Sequence, residues 1–421
     1  MAKIVIIGAS TGGLSAAYEM KAAAGPDHEV TVISDTAIFH FVPSNPWVAV
    51  GWRDGRDISF PLKPRLEKKG IRFIPEAAST INPEKGEVTT IAGTKVAYDY
   101  LILATGPKLS FDEVDGLGPG RNTVSVCTLD HAEAAFTEYG KFLNDPGPII
   151  VGAAQGASCF GPAYEFAFIL DSDLRKKRLR RKCPITFITP EPYIGHMGVS
   201  GIGDSKGLLE HEFRQRHINW LTNARIKRVE KGRMLVDAVG EGEREIPFKY
   251  SMIIPAFKGV DAVASVEGLC NPRGFVSVDE FQRSTRYKNI YAIGVCIAIA
   301  PPEPTPVPAG VPKTGFMIEG MVRAAVQNIM ASIRGEPASS RATWNAICLA
   351  DMGDTGVAFV ALPQLPPRNL TWAKKGGWVH LAKAAFEKYF LRNMKKGVTE
   401  PFYERMLLDA VKIRKIEEKK D

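Results

Sequence analysis

Lys3-Ile-Val-Ile-Ile7, Gly8-Ala-Ser-Thr-Gly-Gly13 and the helical run Leu14 to Ala24 decide the fold. A short β-branched strand enters a glycine-rich turn, and the turn opens a helix. His28-Glu-Val-Thr-Val-Ile-Ser34 supplies the next strand. Together they make a βαβ unit of about 30 residues, the setting in which such a turn carries meaning. In Gly8-x-Ser10-x-x-Gly13, Gly8 permits the tight turn and Gly13 lets helix and strand pack closely. The helix start, Ser10, Thr11, Gly12 and Gly13, offers unpaired N–H groups to a pyrophosphate. Ser10 replaces the middle glycine, so the backbone approach must tolerate a small side chain. Ser34 and Asp35 close the second strand, where a polar or acidic group takes ribose hydroxyls.

Further along, Tyr98-Asp-Tyr-Leu-Ile-Leu-Ala104-Thr105-Gly106 reads as an apolar strand ending in a turn. Asn289 to Ala298 is a late buried strand that carries Gly294-Val295. A second βαβ start, Pro148-Ile-Ile-Val-Gly152, leads through Gly156 to Cys159-Phe160-Gly161, with a helix to about Leu179 and a strand at Ile185 to Thr189. Its glycine spacing is loose. Cys159 and Phe160 crowd the helix start, and the following strand ends Thr189-Pro190 without an acidic residue for a ribose 2′-OH. The pattern predicts an internal duplication whose second copy does not hold NAD(P)H. The Pro-rich stretch 301–312 leads into a helix from about Thr314 to Ile333, and 337–368 reads as strand-rich and irregular.

The chain has 421 residues, 45% apolar and 24% charged, which implies two or three globular domains and excludes disorder. Six Cys without a C-x-x-C pair exclude a zinc ribbon and a thioredoxin-like site. No metal site is predicted. Of the net +8, the segment from Arg368 onward carries +7, with 14 Lys and Arg against 7 Asp and Glu. That segment holds an apolar stripe at helical spacing: Trp378, Leu381, Ala382, Ala385, Phe386, Tyr389, Phe390 and Met394, with Lys383, Lys388, Arg392, Lys395 and Lys396 around it. A second helix, Phe402 to Ile416, repeats the pattern with Met406, Leu407, Ala410 and Val411. Such helices suit the headgroup region of a lipid surface. The other basic run, Arg175 to Lys182, reads as a solvated helix end; no nucleic-acid module surrounds it. With no room for an export signal before the first strand, the cytoplasmic face is the default location.

Cys127 sits in a strand-like run from Thr123 to Thr128. Cys159 stands at a helix start, where the dipole lowers a thiol pKa. Cys348 lies in Trp344-Asn-Ala-Ile-Cys-Leu-Ala-Asp351. Cys183, Cys270 and Cys296 read as inert small hydrophobes.

Several stretches carry a family resemblance across the whole chain: Phe41-Val-Pro-Ser-Asn-Pro-Trp47, Ala104-Thr-Gly-Pro107, Cys127-Thr-Leu-Asp-His131, Gly156 to Glu165, Glu191-Pro-Tyr-Ile-Gly-His196, Pro312-Lys-Thr-Gly315 and Trp344 to Asp354. The chain resembles the sulfide:quinone oxidoreductases of the bacterial type I kind, flavoproteins with two dinucleotide-binding domains. Gly294-Val295, where broader relatives have Gly-Asp, matches this narrower branch. The resemblance implies an α/β fold of two Rossmann-like, glutathione-reductase-like domains plus a C-terminal amphipathic helical membrane-binding region. The implied limits are 1–110 with 256–335 for the FAD domain, 111–255 for the second, and 336–421 for the C-terminal region. It implies FAD as cofactor, hydrogen sulfide as substrate, a membrane quinone as acceptor, a monotopic seat on the cell membrane, and a possible homo-oligomer.

By the same resemblance, Cys159 and Cys348 end a sulfur bridge that hydrosulfide attacks as a thiolate attacks a disulfide. Cys159 is assigned the attacked sulfur and Cys348 the flavin-facing one. Cys127 shuttles sulfur, aids release or tethers the flavin. His131 and His196 move protons or serve structure, and Glu165 relays protons or forms a helix-face ion pair. Lys313, beside Gly315, is placed to stabilise reduced flavin or reach a quinone carbonyl. Phe386, Leu349 and Phe41 are the quinone-pocket candidates; Leu349 replaces a common aromatic. Competing readings are an NADH:quinone oxidoreductase, a sulfide dehydrogenase flavin subunit, and a flavin-bearing sensor or scaffold without turnover.

Overall fold

The first 33 residues fold as the opening stretch dictates. The computed structural model describes residues 1–410 and 413–417. Strand β1 (Lys3–Ile7), helix α1 (Thr11–Ala24) and strand β2 (Glu29–Ile33) are followed by β3 (Arg72–Ile74) and β4 (Tyr100–Leu103). Helix α2 (Leu129–Asn144) then leads into a second unit: β5 (Ile149–Ala153), α3 (Gly161–Lys176), β6 (Ile185–Ile188), β7 (Ile218–Leu221) and β8 (Tyr250–Ile254). The chain returns to the first unit with β9 (Ile290–Ala292) and helix α4 (Gly315–Ile333).

The first unit is a five-stranded parallel sheet in the order β9-β4-β1-β2-β3. The second is a four-stranded parallel sheet in the order β7-β6-β5-β8. The central strands are apolar on both faces because helices cover both; Ile4, Val5, Ile6 and Leu101 to Leu103 are all buried. In such sheets ligands bind where the strand order reverses, outside the carboxyl ends of the strands. That point lies between β1 and β4 in the first sheet, and between β5 and β8 in the second.

After α4 the chain forms an antiparallel sheet of β10 (Ala346–Asp351), β11 (Gly356–Leu362) and β12 (Leu370–Gly376), then helices α5 (Gly377–Lys396) and α6 (Phe402–Ala410). Among the described residues no helix is long and apolar enough to cross a membrane.

Three local expectations change. Helix α3 stops at Lys176, and Arg178 adopts φ +61° beyond it. Most of the basic run Arg175 to Lys182 is exposed, as expected, while Arg180 binds the buried Asp171. The segment before Cys127 makes one bridge, Val124 with Met252, and no strand. The last helix stops at Ala410; Ile416 instead bridges Ala342. Val411 lies outside the described residues.

The expected stripe on α5 also splits. Phe390 and Met394 turn into the core, while Trp378 (52% exposed), Leu381 (69%) and Phe386 (43%) face out. Lys383 and Glu387, at 3% and 4% exposed, lie on the buried face. The helix thus turns Lys383 and Glu387 inward with Phe390 and Met394, and leaves Trp378, Leu381 and Phe386 outward.

Candidate functional site

The first glycine-rich turn sits at the strand-order reversal. A Cβ on Gly8 would meet the Ala104 carbonyl oxygen at 2.3 Å, and one on Gly13 would meet the Gly8 carbonyl oxygen at 2.0 Å. Glycine is required because β1, β4 and α1 touch backbone to backbone. The first amides of α1 have no intrahelical acceptor, and Ser10 makes no side-chain cap, so they face the crevice unpaired. At the tip of β2, Ser34 is buried and Asp35 exposed, while Thr36 N–H donates to Ser34 Oγ at 3.4 Å.

The ends of β4 and β9 carry the crevice toward the cysteines. Ala104, Thr105 and Gly106 follow β4; Gly294 (φ +76°) and Val295 follow β9. Cys296 Sγ donates to the carbonyls of Leu103 and Ile293 at 3.3 and 3.2 Å, which pins the two strand ends together. Lys313 lies within electrostatic reach of both Cys296 and Cys159. Burial brings its ammonium down to about 8 despite both sulfurs, and its Nζ stands 5.2 Å from the Phe275 ring centroid. Cys159 in turn interacts with Cys127 and with Cys348. Lys313 thus lies within electrostatic reach of Cys296 at the first-sheet crevice and of Cys159, which interacts with Cys127 and Cys348.

All six cysteines are free thiols. The expectation that the helix dipole lowers the Cys159 pKa is reversed. Burial pushes it up to about 11, with Lys313 opposing, and Cys159 lies two residues before α3 begins. Burial likewise raises Cys127 and Cys348, each to about 12. Desolvation of a thiolate outweighs a helix end that the sulfur does not directly cap. Cys183 and Cys296 are buried in the core.

The second turn differs in kind from the first. Gly156 N–H donates to the Pro308 carbonyl at 2.7 Å, and Gly310 N–H to the Ala157 carbonyl at 2.8 Å. The loop of the Pro-rich stretch therefore covers the turn, and Phe160 is buried at the helix start.

The proposed proton carriers fall into distinct settings. His131 stands in the first turn of α2, its Nδ1 buried without a partner; burial lowers its pKa while Asp130 opposes. His196 uses both ring nitrogens. Its Nδ1 accepts from Gly198 N–H at 3.2 Å and its Nε2 meets Glu303 at 3.0 Å, an arrangement that assigns the proton to Nε2. Glu165 on α3 is buried and paired with Lys383 of α5. Burial raises its carboxyl to about 7, with Lys383 opposing.

Phe41 is buried and contacts Phe386 and Phe390, with ring centroids 6.0 and 5.0 Å apart. Leu349 follows Cys348 along β10, and neighbouring strand residues point to opposite faces. It is half-buried and outside that aromatic group. Sequence reasoning missed the polar frame around this region. Trp47 Nε1 donates to Asp351 Oδ2 at 2.7 Å, and His380 Nδ1 meets Asp351 Oδ1 at 2.8 Å. Ser44 Oγ and Arg53 Nε both donate to Glu387. Trp47 and Asp351 both belong to quoted motifs, and that was the available signal.

Sequence reasoning also missed Gln364, which donates from Nε2 to the Pro312 carbonyl at 2.6 Å. Its Oε1, with Ser158 Oγ and Thr314 Oγ1, is buried and unpartnered. Ser158 precedes Cys159, and Thr314 follows Lys313. Unpaired buried polar atoms call for a partner, and their grouping at this junction fits the polar edge of a bound ring. Among the described residues no group of three or more His, Cys, Asp or Glu is placed to hold a metal.

Residues 2–315 match the family model described as pyridine nucleotide-disulphide oxidoreductase. A sulfide-quinone reductase from Aquifex aeolicus (strain VF5) is 44% identical over 425 residues, covering 100% of this chain and 98% of its own. The X-ray structure of the sulfide:quinone oxidoreductase from that bacterium superposes with a TM-score of 0.96 at 43% identity, covering 100% of this chain and 98% of that one. The structure of NDH2 from Plasmodium falciparum in complex with NADH reaches 0.72 at 16% identity over 98% of each chain, a likeness of fold alone. The chain belongs to the pyridine nucleotide-disulphide oxidoreductases and, within them, to the sulfide:quinone reductases. Its cofactor is FAD.

Proposed function

We infer that the protein oxidises sulfide at its cysteine centre and delivers the electrons, by way of FAD, to a quinone. The observation that carries this is the group of buried, unpartnered polar atoms of Ser158, Thr314 and Gln364, next in sequence or contact to Cys159 and Lys313. Gly8 and the α1 amides would hold the pyrophosphate, and Ser34 and Asp35 the ribose. Thr105, Gly106, Gly294, Val295, Lys313 and Gly315 would border the ring. Bound FAD supplies a two-electron store between the half-reactions.

The residues perform the rest. In the oxidised enzyme Cys159 and Cys348 are joined through sulfur. Hydrosulfide attacks the Cys159 sulfur; a new S–S bond forms and the old one breaks. Cys159 becomes a persulfide and Cys348 a thiolate. The two rejoin as a bridge longer by one sulfur, which releases two electrons toward the cofactor and one proton. Lys313, in reach of Cys159, stabilises negative charge on the Cys159 persulfide. His131 and Glu165 are the groups that take protons near neutral pH, and His196 holds Glu303. Repetition lengthens the chain to polysulfide. Cys127 receives, releases or tethers. In the second unit Gly156 and Phe160 leave no open backbone for a nicotinamide dinucleotide.

The quinone enters beside Phe386 and Phe41, from a lipid surface met by α5. Support comes from that helix: the exposed Trp378, Leu381 and Phe386 sit on the most basic part of the chain, as in helices that lie at a membrane interface. Deleting everything after Gly376 would be a poor test, because Lys383 pairs with Glu165 inside the protein. Trp378→Ser with Leu381→Ser should instead lower binding to anionic vesicles about tenfold, as expected for removal of two inserted apolar side chains, with no change in visible spectrum.

The reaction is tested by an anaerobic visible titration. Micromolar sulfide should bleach the flavin band and a soluble short-chain quinone should restore it. Bleaching by NADH but not by sulfide would overturn the reading.

A further inference from the structure

Lys415 is 5% exposed and lies five residues beyond the end of α6. Its Nζ is 2.8 Å from Glu319, 2.9 Å from Glu400 and 3.1 Å from Glu404. Glu319 belongs to α4, Glu400 just precedes α6, and Glu404 lies in the first turn of α6. One ammonium therefore binds the N-terminal end of α6 to α4. Burial works against its charge, yet the carboxylates hold its pKa above the usual lysine range. The backbone follows: a Cβ on Gly320 of α4 would meet the Lys415 carbonyl oxygen at 2.8 Å. Arg323 of α4 strengthens the joint with a 2.8 Å contact to Glu400.

The clasp also reaches the aromatic group. Tyr389 OH donates to Glu404, and the Tyr389 ring centroid lies 6.5 Å from that of Phe386. On α6, Met406 is 57% exposed.

We propose that Lys415 is a positioning residue of the quinone half-reaction, holding α6 across from Phe386 as the second wall of an entrance for the quinone's hydrocarbon tail. The proposal rests on the reading that Phe386 borders that entrance. A wall that touches only the tail contributes binding and not chemistry. Its loss raises KM for a tailed quinone and leaves kcat in place.

The test compares Lys415→Met, Glu404→Gln, Lys415→Arg and Phe386→Ala in the FAD-loaded full chain. Each is assayed with a decyl-chain quinone and with the same ring lacking a tail, and each is bleached anaerobically by sulfide. Lys415→Met should raise KM for the decyl quinone about tenfold and Glu404→Gln about threefold, the size of a modest loss of tail contact. KM for the tail-less quinone and the rate of bleaching should stay within about twofold, and Lys415→Arg should recover most of the loss. Equal effects on tailed and tail-less quinones, a parallel loss of bleaching, or no effect in either clasp variant would overturn the proposal. Glu404→Gln keeps the test decisive if Lys415→Met does not fold. If Phe386→Ala raises the decyl KM and the clasp variants do not, the clasp is wrong. If the clasp variants raise it and Phe386→Ala does not, the entrance at Phe386 is wrong and α6 alone guides the tail.

Discussion

The two glycine-rich turns share an architecture and differ in what fills them. After β1 the turn is open: the helix amides face a crevice, and glycines at Gly8 and Gly13 let backbones touch. After β5 the turn is closed by the protein itself, with Gly156 bound to Pro308 and Ala157 to Gly310. The helix start that would face a phosphate presents Phe160, with Cys159 just ahead of it. On the proposed function, a duplicated strand–turn–helix unit would serve as a cofactor cradle in one copy and as a sulfur-bearing post in the other. Occupancy of the turn, and not its topology, sets the chemistry.

The largest break of this contrast would come from Cys159→Ser. It should abolish bleaching by sulfide, by about a thousandfold or more, as removal of the attacked sulfur does, while the flavin spectrum persists. Retained bleaching would mean that the closed turn is not the sulfur site. Next in size is a matched pair of glycine substitutions. Gly13→Ala drives a Cβ into backbone at 2.0 Å and should strip FAD and cost about 3 kcal/mol of stability. Gly161→Ala meets nothing within 4 Å at the helix start of the second copy and should change the melting temperature by no more than about 2 °C. Thermal melts and flavin content read both.

The smallest effect expected concerns pH. Lys313 is held down to about 8 by burial, so its positive charge is present below that value and is lost as pH rises through it. The rate of sulfide-driven bleaching should fall about three- to tenfold above pH 8, as loss of one stabilising charge implies. Lys313→Met should be slower throughout and lack that limb; an unchanged alkaline limb would remove Lys313 from the sulfur step.

What the sequence revealed divides by range. The β1–α1–β2 unit was legible because strand, glycine turn and helix are local and each choice agrees with the next. The aromatic and cysteine motifs were legible as a family pattern, and the fold match bears out that assignment. The closure of the second turn was not, since Pro308 meets Gly156 from far along the chain. Nor was the inward turn of two charges on α5. Helical periodicity assigns Lys383 and Glu387 to the outside, but Glu165, Ser44 and Arg53 give them partners inside. Burial of a charge depends on a partner that no local window contains. The Cys159 thiol was misjudged for a related reason: position near a helix end is visible in a sequence, and depth is not.

The antiparallel return of residues 414–417 has a consequence for the order of folding. Thr343 N–H donates to the Lys415 carbonyl and Glu417 N–H to the Arg341 carbonyl, while Thr343 and Asn345 side chains both bind the Arg414 carbonyl. These contacts close a loop of 71 residues immediately ahead of the strand that bears Cys348. Long loops close late, after local βαβ units have formed. During refolding the local hairpin of β10 and β11 is expected to form first and to receive residues 414–417 against its leading segment afterwards. A species with the Cys348 strand paired but its leading segment still unpartnered should therefore precede the active enzyme, with secondary structure and activity returning on separate clocks.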